Sequence, residues 1–324
     1  MGSGLKTNEE RKEGKMKFHK KKENNSLLRR AARMWQLYVL ILPALIYIIV
    51  FQYLPMYGVV IAFKDYRVSK GILGSDWVGL KHFIRFVTYP EFDTIMLNTM
   101  RISFKSLIWS FPLSVILALL LNELENLKIK KFVQMVTYMP HFISTITVCG
   151  MILLFFSRQY GVVNAIITLL GGERIDFLGN QDYFDALYVG SGIWQGLGWG
   201  TIIYLSALSG VSPEMIEAAK IDGASRPQVI RYINIPAIMP TIVITLILNC
   251  GGILNVGFEK VFALQNPLNM DRSNVISVYT YQLGIGGGQF SYASAIGLFN
   301  TIINVILLTI VNKTAKKVSD ISII

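Results

Sequence analysis

Six apolar runs, each long enough to cross a bilayer, constrain this chain more than any other feature. They lie at about 36–62, 94–121, 133–157, 185–209, 241–263 and 290–311. A helix needs roughly 20 mostly apolar residues to cross a hydrocarbon core about 30 Å thick, so each run reads as one span. The charge distribution agrees. Only 16% of residues are charged, against roughly 25% in ordinary soluble domains, and 15 of them fall in residues 1–35. The sequence therefore predicts an all-α polytopic membrane protein with six transmembrane helices. A basic tail (1–35) precedes the membrane domain (36–311) and a short tail (312–324) follows it.

Six spans put both termini on one side. The segments on that side (1–35, 122–132, 210–240, 312–324) hold 20 Lys and Arg, and the alternate segments (63–93, 158–184, 264–289) hold 8. The positive-inside rule then places both termini in the cytoplasm. The net charge of +11 comes mostly from the tail, which alone contributes +7. A basic stretch before a first span reports orientation, so nucleic acid is not an expected partner. Met16 is an alternative start, and residues 1–15 carry no functional reading. The first apolar run is long and lacks a small-x-small cleavage site, so it reads as an anchor.

Several chemistries are missing. Cys149 and Cys250 both lie in apolar runs and read as small soft hydrophobes, and His19, His82 and His141 are scattered singly, so no metal site is expected. There is no GxxxxGK[ST] loop, so any ATP used is bound by another chain. Pro43, Pro55 and Pro112 predict kinks within spans. Gly192, Gly196 and Gly200 leave one face of the fourth span bare, for close helix packing or for a groove. The aromatic-rich outer segments 63–93 and 158–184 read as short helices, either presenting a docking surface or capping the bundle.

The inner segment 210–240 is long and carries helix signals of its own. Ser212 is placed to cap a helix with Pro213 at its first position, and Gly223 stops that helix. Ser225-Arg226-Pro227-Gln228 has the capping-box form and opens a second short helix that Pro236 should end. A DNA-binding helix-turn-helix is excluded by the clamping of this unit between two spans and by its balance of three basic and three acidic residues.

The string Glu217-Ala218-Ala219-x-x-x-Gly223, followed after nine residues by Ile233-x-Ile235-Pro236, resembles the EAA loop of permease subunits of bacterial ATP-binding-cassette importers. Ile235 stands where leucine is usual. The fuller Glu217-Ala218-Ala219-Lys220-Ile221-Asp222-Gly223-Ala224 looks like the carbohydrate-uptake branch. Trp35-Gln36-Leu37-Tyr38, Ile61-Ala62-Phe63-Lys64-Asp65-Tyr66 and Asn98-Thr99 extend the likeness to complex-polysaccharide importers across nearly the whole membrane portion.

The resemblance implies the six-helix type I importer permease fold in the bacterial cytoplasmic membrane. It also implies a second, non-identical permease, two ATPase subunits that use ATP and magnesium, and an extracytoplasmic solute-binding protein that delivers an oligosaccharide. This chain itself would need no cofactor. Glu217, Ala218, Ala219, Asp222, Gly223 and Pro236 are the expected ATPase-coupling residues: the small residues make a slim helix end for a cleft, and Glu217 offers an anion. An ion-coupled secondary transporter would need a midplane carboxylate site or inverted repeats. A membrane enzyme would need a paired acid and base. Neither pattern is present.

Polar groups at membrane depth are functional candidates by default. If span five starts at Thr241, its midplane falls near Gly251. That places Asn249, Gly251, Gly252 and Asn255 in mid-membrane with Glu259 a turn beyond, and the equivalent depth of span four holds Gln195, Gly196 and Trp199. Amides can pair with sugar hydroxyls and an indole can stack on a pyranose, which makes these the expected substrate path; the alternative is packing between helices. Arg101 and Lys105, toward the outer part of span two, fit either an anionic sugar or snorkelling to headgroups.

Overall fold

The computed structural model describes residues 34–319. The basic tail up to residue 33, His19 within it and the last five residues lie outside the described residues. Residues 34–60 form one unit and the remainder another. The first unit is almost wholly α1, Trp35–Phe63, which buries none of its side chains from Trp35 to Met56. A helix apolar on every side is stable in lipid and not in water.

The second unit contains α2 (Phe92–Asn122), the pair α3 (Leu127–Phe142) and α4 (Thr145–Phe155), α5 (Phe184–Leu208), the short α6 (Pro213–Ile221), α7 (Arg226–Gly251), the short α8 (Phe258–Leu264) and α9 (Phe290–Ser319). Among the described residues four helices, α1, α2, α7 and α9, are continuous and apolar enough to span a membrane, and α3 with α4 would make a fifth. Helix α5 has 25 residues, but its glycines, tryptophans and Gln195 dilute its apolar content.

Two expected spans are rebuilt. The third, expected at 133–157, is broken by a 97° bend between α3 and α4. Pro140 lies in a tight 3₁₀ turn, Ile143 is extended, and the Ser144 hydroxyl caps α4 by accepting from the Thr147 N–H at 3.2 Å. The fifth, expected at 241–263, begins at Arg226 and ends at Gly251, so Pro236 does not end the helix that Ser225 opens. The Ser225–Gln228 capping box is present. The widened turn Ile230–Asn234 then sends the Ile235 N–H to the Ile230 carbonyl, five residues back, so the ladder has already slipped where Pro236 lacks its donor. The same device precedes Pro55, where the Leu54 N–H bonds to the Ile49 carbonyl.

Helix α5 is central, packed along α2 and against α3 and α7, while α9 packs on α7. Three apolar clusters tie the bundle: Ala118, Leu119, Tyr204, Leu208 and Ile238 at the 210–240 end, Ile102, Val148, Ile152, Phe184 and Val261 further along α2, and Phe86, Ile95, Tyr279, Tyr292 and Ile296 at the opposite end. Gly198 allows α3 its approach, since a Cβ there would strike the Thr137 carbonyl.

The segment 63–93 caps the opposite end rather than floating free. A two-stranded ladder pairs β1 (Lys64–Asp65) with β2 (Asp76–Trp77), and Phe63 stacks on Trp77 at 5.8 Å. The following helix, Lys81–Val87, buries His82 and Phe86. Burial lowers the His82 pKa below its ordinary value, and its Nε2 sits 3.2 Å from the Lys64 carbonyl oxygen. Asn98 donates to the carbonyls of Asp271 and Asn274, and Thr99 accepts from the Ile276 N–H, so this pair anchors the 271–276 turn to α2.

Candidate functional site

The segment 210–240 is built as two helices around one glycine. Ser212 and Pro213 open α6, and Gly223 follows it at φ +83°. Nothing lies within 4 Å of a Cβ built on Gly223, so its requirement is purely the left-handed backbone. Replacing Gly223 by Ala is expected to cost about 1 kcal/mol and by Val more, because left-handed backbone is disfavoured for residues with a Cβ. The check is membrane abundance and ATPase stimulation of both variants, with Val losing more than Ala.

Glu217 sits in the second turn of α6, too far along to cap it, and among the described residues no hydrogen bond or ion pair engages its carboxylate. Glu217, Ala218, Asp222 and Gly223 are all exposed, Ala219 is half-buried, and beside them Ile221 is 86% exposed and Met215 54%. This slim surface is tethered to the end of α2. Arg226 pairs with Glu125 at 2.7 Å, and the buried Asn234 donates to Glu123 at 3.2 Å. Asn234 gives no signal in the sequence, since its partner is 111 residues away. Pro236 is exposed within the first part of α7.

The second site is a pair of adjoining cavities beside the midpoints of α2 and α5. One, of about 560 Å³, is bordered by Ser106, Ser110, Thr145, Tyr188, Gly192, Gln195 and residues 257–260; the other, of about 410 Å³, shares Ser106 and Ser110 and adds Ser103, Ser114, Tyr204, Thr245 and Asn249. Ser103, Ser106, Ser110 and Ser114 recur at helical spacing, which places all four hydroxyls on one stripe of α2. That spacing was readable in the sequence and is the signal the span-by-span reading missed.

The expected path residues separate. Gln195, Gly196 and Glu259 border the larger cavity or its continuation past His141 to Ser144. Gln195 also donates to the Ile143 carbonyl at 2.8 Å, holding the bend between α3 and α4 open to this space. Asn249 borders the smaller cavity while bonding back to the Thr245 carbonyl. Trp199 is stacked face to face on His141, ring centres 4.3 Å apart.

Gly251 ends α7, under Leu308, instead of marking the middle of a span. Asn255 accepts from Asn300 and Asn304 of α9, which is the packing alternative. The glycine stripe divides likewise: nothing lies within 4 Å of a Cβ built on Gly196, one on Gly192 would stand 3.4 Å from the Lys260 ammonium, and one on Gly200 would meet the Ser114 hydroxyl. Arg101 and Lys105 do not snorkel. Both grip one carboxylate oxygen of Asp185, at 2.8 and 2.7 Å, and Arg101 further binds Asn98 and the Arg272 carbonyl.

Long apolar helices, a helix pair bent by 97° and a cavity bordered by hydroxyls and Gln195 are the features of a polytopic membrane protein. Residues 110–318 match the family of binding-protein-dependent transport system inner membrane components, and the chain belongs to it. It is 43% identical to the polygalacturonan/rhamnogalacturonan transport system permease protein YteP of Bacillus subtilis (strain 168), covering 93% of this chain and 94% of that one. It is 42% identical to Protein LplB of the same organism, covering 87% and 88%. In solved structures it resembles a chain of a bacterial ABC transporter involved in the import of the acidic polysaccharide alginate, with TM-score 0.83, 35% identity and coverage of 91% and 99%. A second structure of the alginate transporter, in complex with an alginate pentasaccharide-bound periplasmic protein, matches with TM-score 0.83 and 34% identity. The chain is therefore a permease subunit of a sugar ATP-binding-cassette importer, a transport component and not an enzyme.

Proposed function

We propose that this chain supplies half of the translocation passage for an oligosaccharide handed over by a solute-binding protein, and that it couples to ATP hydrolysis through residues 210–240. The other half is a second, different permease, and two ATPase subunits with their ATP and magnesium dock beneath; this chain binds no cofactor of its own. The termini lie on the cytoplasmic side with the coupling loop, as the bias of Lys and Arg supports.

The observation that carries the reading is the polar cavity pair at mid-length of two packed helices. Hydroxyls of Ser106 and Ser110 and the amide of Gln195 offer both donors and acceptors where lipid offers none, and sugar hydroxyls need both. Motion of a cleft around α6 passes into α7 as one rigid element, since the helix runs unbroken from Arg226 to Gly251.

Affinity purification of this chain is expected to recover a second permease and an ATPase, and the reconstituted complex to take up oligosaccharide only with ATP and binding protein. In that complex Ser110→Leu is expected to reduce transport about tenfold or more by filling the cavity with an apolar group that pairs with no sugar hydroxyl. A stable, transport-active homo-oligomer, or undiminished uptake by that variant, overturns the assignment.

A further inference from the structure

Lys260 in α8 is 7% exposed. Its ammonium donates to the Tyr188 carbonyl at 2.8 Å and lies 4.8 Å from the centre of the Tyr188 ring. Among the described residues no carboxylate comes within 4.0 Å of it, and the Tyr188 carbonyl is its one hydrogen-bond acceptor. Arg101 and Lys105 are the contrast, because both are ion-paired with the one carboxylate of Asp185.

A buried ammonium with three donors and no counter-charge is costly, and it persists where something else supplies the anion. Lys260 borders the larger cavity, opposite Ser106, Ser110 and Gln195. Gly192 keeps the approach clear, since even a Cβ there would stand 3.4 Å from the ammonium. Glu259 borders the same space from an exposed position and does not reach the ammonium.

We propose that Lys260 reads a carboxylate on the sugar as it enters this cavity, so that the passage selects uronate-bearing over neutral oligosaccharides. This rests on the importer reading given above and names its substrate class and a specificity-determining residue. The hydroxyls and amide bind what all sugars share, and the ammonium binds what only acidic sugars carry.

The test compares uptake of trigalacturonate and of the same trisaccharide with its carboxyls reduced to alcohols, by the complete complex in proteoliposomes with binding protein supplied at equal loading. Lys260→Gln and Lys260→Met are expected to lower uptake of trigalacturonate at least tenfold more than uptake of the reduced sugar, while Lys260→Arg keeps the acidic preference. Equal loss of both sugars assigns Lys260 to tethering α8 on α5 and overturns the proposal, as does undiminished uptake of trigalacturonate or failure of both neutral variants to assemble. Wild-type uptake of the reduced sugar alone refutes the carboxylate role and leaves the importer standing. No sugar uptake of either kind refutes the importer reading as well.

Discussion

Glu217→Lys should leave the protein in the membrane at normal abundance and abolish most of its transport. The carboxylate stands exposed on α6 with no hydrogen-bond or ion-pair partner among the described residues, so reversing its charge costs the fold little. At a docking surface the same change turns an attraction into a repulsion, worth about 2 kcal/mol or more and so roughly thirtyfold in affinity. Co-purification of the ATPase and ATPase stimulation by loaded binding protein should both fall, and raising the salt concentration should recover little. Normal coupling by Glu217→Lys would remove α6 from the interface.

The other large effect is expected at Asp185, and it acts on stability. Asp185 lies in the first turn of α5, where an anion also suits the helix dipole, and one of its oxygens receives both Arg101 and Lys105. Asp185→Leu strands the Arg101 guanidinium, whose side chain is 20% exposed, and should cost about 3 kcal/mol, the low end for breaking a buried pair because Lys105 is half exposed and can turn to water. Cys149 and Cys250 are free and buried, so a thiol-reactive dye reports unfolding on heating in detergent. The midpoint should drop by several degrees for Asp185→Leu. It should drop less for Lys105→Ala, and it should partly recover when Arg101→Leu is combined with Asp185→Leu. A midpoint unchanged by Asp185→Leu would show that the cluster contributes nothing to stability.

The membrane class, the long helices α1, α2 and α9, the capping box at Ser225 and the left-handed glycine at 223 were all legible in the chain. Each depends on local chemistry: apolar length against bilayer thickness, a side chain bonding to its own backbone, or a φ angle that only glycine takes without strain. Family membership was legible for the same reason, since the Glu217–Pro236 motif is contiguous.

What tertiary structure alone decided are the pairings. Whether Pro236 stops a helix depends on the widened turn before it, and whether an apolar run is one span or two depends on where Pro140 and Ser144 place the chain against α5. Arg101 and Lys105 looked like free cations until Asp185, 84 and 80 residues away, took both, whereas Lys260, beside Glu259 in the sequence, is buried against the Tyr188 carbonyl with no carboxylate within 4.0 Å among the described residues. Charge balance in a low-dielectric interior is a property of neighbours in space, and a linear sequence does not say which of its distant residues those neighbours are.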